Sequence, residues 1–203
     1  MKLVFASNNT HKMQEIRSLL PESYELLSLY DIACKDDPPE TGSTMEENAL
    51  EKALFVFDRY GLACFADDSG LEVEALNGAP GIYSARYAGP ERDMVKNMAK
   101  LVSAMEGVAN RKARFRTVIA YVTGNGHRLF EGVISGKILE KPAGNGGFGY
   151  DPLFVPDGYK VSFAEMSHDE KNRISHRGRA LILLINHLEN ETGSQVQPLN
   201  HNQ

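Results

Sequence analysis

Cysteine is scarce. Cys34 and Cys64 are the only two in 203 residues and neither belongs to a C-x-x-C pair, which argues against a disulfide framework or a cysteine-based zinc site. Basic residues are in deficit, with 22 Lys and Arg against 27 Asp and Glu, a net charge of −5 and a pI near 5.7. That balance argues against a nucleic-acid polymer as partner. A single nucleotide remains compatible, because a metal and a few local cations can offset its charge. No apolar run approaches the roughly 20 residues that span a bilayer, so no membrane partner is expected. Lys2 to Ala6 already reads as a strand and leaves no room for a signal peptide. The expected setting is a reduced, cytoplasmic one. The Walker spacing G-x-x-x-x-G-K-[ST] is missing too, and there is no internal repeat.

What is present is 42% apolar and 24% charged, ordinary for a globular protein. The length suits one large domain or two small lobes. Leu3-Val4-Phe5-Ala6 is a strand that ends at Ser7-Asn8-Asn9. Met13, Ile16, Leu19 and Leu20 then share one helical face, and Pro21 closes the helix. Tyr24 to Leu29 predicts a second strand. Ser43-x-x-Glu46 and Thr44-x-x-Glu47 are both capping boxes for a helix with Met45, Ala49, Ala53 and Phe57 on its stripe. Leu62 to Ala66 predicts a third strand and Leu71 to Leu76 a fourth, with the acidic pair between them.

A third helix is expected from Glu91 to Met105, with Met94, Val95, Met98, Leu101 and Val102 inward. Lys112 to Thr123 and Arg128 to Ile134 flank Gly124-Asn125-Gly126 as a hairpin. The last helix runs from about Arg177 to Glu189, and 191–203 is a polar, frayed tail. Early strand–helix alternation followed by a hairpin predicts an α/β fold. Its mixed, twisted sheet would lie in two lobes around a central substrate cleft, with helices outside and one domain over 1–190. Ligands in such sheets sit beyond strand ends. The loops after Ala6 and Ala66, and Val133 to Ile138, are therefore the places to look.

Five segments carry chemistry. Ser7-Asn8-Asn9-Thr10-His11-Lys12 joins a strand to a helix, where free N–H groups attract phosphate; on its own it reads better as an ordinary capped helix start. Asp67-Asp68-Ser69-Gly70 places two carboxylates side by side, which suits a divalent metal and an activated water. Neighbouring strand residues point to opposite faces, so one carboxylate faces the cleft and the other orients the loop through backbone N–H groups. The bland alternative is an Asx turn. Glu40-Thr41-Gly42 precedes Glu47, Asn48 and Lys52; Asn48 and Lys52 share a face, although taken alone this is a solvated helix face. Gly146-Gly147-Phe148-Gly149-Tyr150-Asp151-Pro152 buries aromatics in a glycine turn that lets backbone approach a flat ligand. Lys171, Arg173, His176, Arg177 and Arg179 make a cationic patch beside a helix start, which reads as an anion site.

In this order the segments resemble the inosine triphosphate pyrophosphatase family. The motifs that carry the resemblance are Ser7-x-Asn9-x-x-Lys12, Glu40-Thr41-Gly42, Glu47-Asn48-Ala49-x-x-Lys52-Ala53, Ala66-Asp67-Asp68-Ser69-Gly70-Leu71, Gly78 through Tyr87, Gly146 through Pro152, and Lys171 with Ser175-His176-Arg177. They span Ser7 to about Leu188. Asn8 stands where many members carry glycine.

The resemblance implies a two-lobed α/β fold, commonly a homodimer. It implies hydrolysis of ITP, dITP and XTP to the monophosphate and pyrophosphate, which cleanses the nucleotide pool. Ser7, Asn8, Asn9, Thr10, His11 and Lys12 would cradle the triphosphate, and Lys52 would add charge. Asp68 would be the general base and, with Glu40, a Mg²⁺ ligand. Ser69 would touch substrate, while Phe148, Gly149, Tyr150, Asp151, Lys171, His176 and Arg177 would hold purine and sugar. On this reading the Gly149-Tyr150 N–H groups and the cations His176 and Arg177 present donors to a 6-oxo purine. Two competing readings are a related septum-type nucleotide pyrophosphatase with other substrates and a nucleotide sensor without turnover. The Phe-Gly-Tyr-Asp turn with Ser-His-Arg favours the purine reading over the first, and the presence of Asp68 speaks against the second.

Overall fold

The structure, a computed structural model, describes residues 1–193. One six-stranded sheet has the order β2-β1-β3-β4-β5-β6. Strand β1 (Lys2–Phe5) runs parallel to β2 (Glu25–Leu27) and β3 (Cys64–Val73), and β4 (Lys112–Thr123), β5 (Gly126–Ile138) and β6 (Phe154–Pro156) follow antiparallel. The helices are α1 (Thr10–Leu19), α2 (Met45–Tyr60), α3 (Met94–Ala104), α4 (His168–Ile174) and α5 (His176–Gly193). This is the mixed α/β sheet that the pattern of elements predicts. The polar tail expected from 191 begins inside α5, and past 193 it lies outside the described residues.

Strand alternation divides the core. Cys64, Ala66, Val118 and Ala120 pack with Ala49, Ala53 and Val56 of α2. Phe65, Ile119 and Tyr121 pack with Leu181, Leu184 and Ile185 of α5. At the far end of the long strands, Leu71, Val73 and Phe115 meet Leu101, Leu153 and Phe163. Helix α2 is set by its ends. Thr44 accepts the Glu47 N–H, the Glu47 carboxylate returns to the Ser43 N–H at 2.7 Å, and Gly61 closes the helix in the left-handed region at φ 63°. Of the two capping boxes, Thr44 with Glu47 is the one used, and Glu46 instead pairs with Arg116.

The largest difference from expectation is β3. Two strands with the acidic pair as their connecting loop are replaced by one continuous ten-residue strand. Asp, Ser and Gly are weak strand formers, but β4 pairs with every position from Cys64↔Val122 to Val73↔Ala113, and that ladder overrides local preference. The Asp67-Asp68 pair is therefore neither a strand-end loop nor an Asx turn. Gly70 is required because a Cβ there would lie 2.2 Å from the Gly81 carbonyl oxygen. Gly70→Ala is expected to cost about 1–3 kcal/mol through overpacking, read as a lower urea midpoint at unchanged m-value.

Helix α3 also differs. It begins at Met94, capped by Asp93, whose carboxylate accepts the Val95 and Lys96 N–H groups. Val95 is 70% exposed and Met94 43%, so neither faces the core as expected. Asn97 and Leu101 are the buried positions, Met98 and Val102 pack against the core beside Leu101 as expected, and the first turn of α3 projects past the core to the cleft. Strand β5 runs to Ile138 rather than Ile134 because Gly136–Ile138 pair with β6.

The open edge of β3 positions the site. β1 pairs only with Cys64 and Phe65, and the Ala6 N–H still reaches the Phe65 carbonyl at 2.8 Å. Farther on, the Leu71 N–H donates to Ser84 Oγ at 2.9 Å and the Val73 N–H to the Ala79 carbonyl at 3.2 Å. Among the described residues no strand pairs with Asp67–Ser69 on that side. The cleft opens there, beyond the carboxyl end of β1.

Candidate active site

The cleft encloses about 470 Å³, within the range of small-molecule sites. Ser7, Asn8, Asn9, His11 and Lys12 line it, together with Glu40, Lys52, Asp68 and Ser69 and the whole run Phe148–Asp151. Lys171, His176 and Arg177 complete one end. Of the residues to which the resemblance gives a substrate, metal or catalytic role, only Thr10 is not among the lining; Asn48, Asp67, Arg173 and Arg179, named in the same segments, are outside it as well. Arg86, Arg92, Met94 and Asn97 are four of the lining residues to which the sequence gives no site role. Only Arg86 lay within a quoted motif; the others are brought in by the first turns of α3 and the loop before it, which no local pattern marks.

Asp68 faces α2. Its Oδ1 lies 3.4 Å from Lys52 Nζ and its Oδ2 3.4 Å from Asn48 Nδ2. Asn48 and Lys52 are thus buried partners of the acid, not a solvated helix face. Lys52 also donates to Glu40 Oε1 at 2.8 Å, and Glu40 Oε2 draws Arg86 at 3.4 Å and Arg92 at 3.5 Å. Burial pushes the Asp68 carboxyl above its usual range; Lys52 and Lys12 pull against this, and Glu40 and Asp67 add to it. For Glu40 burial also opposes ionisation, but Lys52 outweighs it and the carboxyl stays low. Burial would likewise strip Lys52 of its proton, but Asp68 and Glu40 keep it charged.

Asp67 faces the other way. It accepts Lys12 Nζ at 2.9 Å, Arg177 Nε at 3.1 Å and Ser69 Oγ at 2.8 Å. The two carboxylates do point to opposite faces, but Asp67 orders cationic side chains rather than loop N–H groups. Burial opposes its ionisation, yet Lys12, Arg177 and Lys52 hold it far below the ordinary carboxylate range. Lys12 itself is lowered, chiefly by burial.

The basic segment beside α5 is divided: Arg173 and Arg179 are exposed, whereas Lys171, His176 and Arg177 are buried. Lys171 and Arg177 are buried because Glu15, on the inner side of α1, binds both. Lys171 also donates to Asp151 Oδ2 at 2.5 Å. Arg177 spends Nε on Asp67, Nη1 on Glu15 and Nη2 on Ser69, so three of its five N–H donors are already engaged within the protein. His176 is not a cation: burial and the neighbouring Arg177 hold its pKa well below the ordinary value. Its ring stacks on Phe115 at 4.7 Å, and its Nδ1 has no hydrogen-bond partner among the described residues. Glu15 was missed in the sequence; a carboxylate next to Ile16 on the inward side of α1 was the available signal.

Burial opposes the ionisation of Glu15, but Arg177 and Lys171 outweigh it and bring its pKa to about 2, from an ordinary 4.5. A depressed folded pKa gives stability that is full above the unfolded pKa and is lost as pH falls toward the folded one. Glu15→Gln should therefore be less stable than wild type by on the order of 3 kcal/mol at pH 7. The gap should narrow below about pH 4.5 and close near pH 2, as followed by urea melts across that window.

The glycine turn is held from within. The Asp151 carboxylate accepts the Phe148 N–H at 2.8 Å, and the Tyr150 hydroxyl donates to the Ser84 carbonyl at 2.9 Å. Gly147, at φ 67°, leaves room where a Cβ would strike that carboxylate at 2.1 Å. At the opposite end, Asn9 caps α1 by accepting the Lys12 N–H at 3.1 Å, and Asn8 Nδ2 donates to Asp37 at 2.6 Å.

An α/β sheet with an unpaired stretch of its central strand, facing a cleft lined by both cations and aromatics, with Lys171 and Arg177 over the Phe148 ring, defines a protein class built to receive an anion that carries a flat ring. The chain belongs to the Ham1 family, whose sequence pattern it matches over residues 3–187. It is 53% identical to the dITP/XTP pyrophosphatase of Flavobacterium psychrophilum over 94% of this chain and 100% of that one. It is also 53% identical to the dITP/XTP pyrophosphatase of Porphyromonas gingivalis, over 90% of this chain and 95% of the other. The Ham1 protein of Staphylococcus aureus superposes with a TM-score of 0.86 at 39% identity, covering 94% of this chain and 100% of that structure.

Proposed function

We propose that this chain hydrolyses non-standard purine nucleoside triphosphates, ITP, dITP and XTP, to the monophosphate and pyrophosphate. The observation that carries the reading is Asp68, a carboxylate with a raised pKa at the open edge of β3, flanked by Lys52 and Lys12 on the cleft wall. A base whose pKa moves toward the working pH takes a proton more effectively. Lys12, Lys52, Arg86 and Arg92 offer positive charge for a triphosphate, and the ends of their side chains are held by Asp67 and Glu40 until one arrives. The proposed course has Asp68 accept the proton of the attacking water while the lysines balance charge on the departing pyrophosphate.

Mg²⁺ is part of the reading. Glu40 and Asp68 both reach Lys52 Nζ, so two hard oxygen donors stand close together at one open site. No cluster of three or more His, Cys, Asp or Glu able to cage an ion occurs among the described residues. An open pair of carboxylates suits an ion that arrives on substrate phosphates and keeps its waters. When bound there, it would supply Lewis-acid stabilisation of phosphate charge. A homodimer in the cytoplasm completes the proposal; among the described residues, no helix is long and apolar enough to cross a membrane.

The test is a panel of nucleoside triphosphates scored for pyrophosphate with Mg²⁺. ITP, dITP and XTP should release pyrophosphate, with ATP and GTP far behind. Inorganic phosphate appearing in steps through a diphosphate would overturn the reading.

A further inference from the structure

Both features of the Phe148-Gly149 turn that would receive a base are already engaged by the chain's own side chains. The His11 imidazole, in the first turn of α1, stacks on the Phe148 ring with centroids 5.2 Å apart and planes 10° from parallel. The Met94 Sδ, in the first turn of α3, accepts the Gly149 N–H at 3.0 Å. Both side chains are exposed and both line the cleft. A ring placed between His11 and Phe148 would need about 7 Å, twice an ordinary contact of roughly 3.5 Å, and 5.2 Å does not admit it.

We infer that His11 and Met94 form a latch that occupies the base end of the cleft and is exchanged for the incoming purine. The imidazole covers the ring face a base would cover, and the thioether takes the N–H a base carbonyl would take. The inference rests on the purine reading of the cleft. Each contact is of a weak kind, an exposed stack and a sulfur acceptor, which lets a ligand open it. A ligand that binds only the open form sees its affinity reduced by the fraction of molecules that are open. That cost belongs to the free protein, so it is common to every base and cancels from any ratio between two bases.

Affinity is to be measured by titration calorimetry on the full chain, with ITP and with ATP, in the absence of divalent metal. His11→Ala and Met94→Leu should each lower the Kd for ITP about threefold to tenfold. The Kd for ATP should fall by the same factor. His11→Phe keeps an aromatic partner for Phe148 and should leave the Kd at or above the wild-type value. An unchanged Kd in His11→Ala overturns the latch. A Kd raised alike by His11→Ala and His11→Phe does so as well, since the imidazole would then serve the phosphates. A shifted ITP-to-ATP ratio in His11→Ala would place the imidazole on the bound base and equally overturn it. Failure of the hydrolytic reading is seen separately, as no pyrophosphate from wild type with Mg²⁺, because calorimetry needs no turnover.

Discussion

Asp68→Asn should bind nucleotide and fail to turn it over, with kcat reduced about 10²–10⁴-fold. The amide preserves shape but takes no proton and is a poorer ligand for a hard cation. The surroundings sharpen the expectation. Asp68 receives Lys52 Nζ and Asn48 Nδ2 at 3.4 Å each, so both neighbours are donors, and an amide must turn its own NH₂ toward one of them. Lys52 also loses a carboxylate that keeps it charged in a buried place. A modest loss of stability should accompany the loss of rate. Single-turnover pyrophosphate release at saturating Mg²⁺, alongside the Kd for ITP, separates the two. A kcat within a few-fold of wild type would remove Asp68 from the chemistry.

Arg177→Ala should unfold far more readily than wild type, by roughly 3–5 kcal/mol, the range for breaking a buried ion pair from one side. Arg177 is 1% exposed, and its guanidinium ties Asp67 of β3 to Glu15 of α1. Without it both carboxylates remain buried, with Lys12 and Lys171 as their remaining ion-pair partners. The sign with pH follows from the two acids. Asp67 and Glu15 are depressed in the folded protein, so the missing stability is largest near neutrality and shrinks as acid protonates them in the variant. Urea unfolding at pH 7 and pH 4 reads both effects. Arg177→Lys should recover only part of the loss, because one ammonium lacks the fork that reaches Asp67, Glu15 and Ser69 together. A loss below about 1 kcal/mol at pH 7, the scale of an exposed pair, would contradict the network.

The two variants differ in what made them foreseeable. Asp68 and the Phe148 turn were legible because their residue types are unusual at their local positions, paired acids after an apolar run and aromatics among glycines; Lys12 and Lys52 took their roles from the family resemblance, since each sits on an ordinary helix start or face. The helices were legible where capping and periodicity agree, as in α2. Val95 failed that test because a stripe of apolar residues does not say where a helix meets the core, and α3 overhangs it. The pairing of the basic segment after Glu170 was not legible because its acidic partners lie far away in the sequence, at Glu15, Asp67 and Asp151.

By itself the sequence determined the element types, the mixed α/β class and the small set of residues around which a phosphate site could form, since each follows from interactions within a few residues. The tertiary structure decided three things. It made Asp67 and Asp68 the middle of a strand, because the ladder with β4 outweighs the weak strand preference of Asp-Asp-Ser-Gly. It left that stretch open on its other edge, because β1 ends at Phe5 and the cover resumes only at Leu71. It turned apparent surface cations into a buried network, because charge pairing acts through space and Glu15 and Arg177 meet only when α1 and α5 pack on the same face of the sheet.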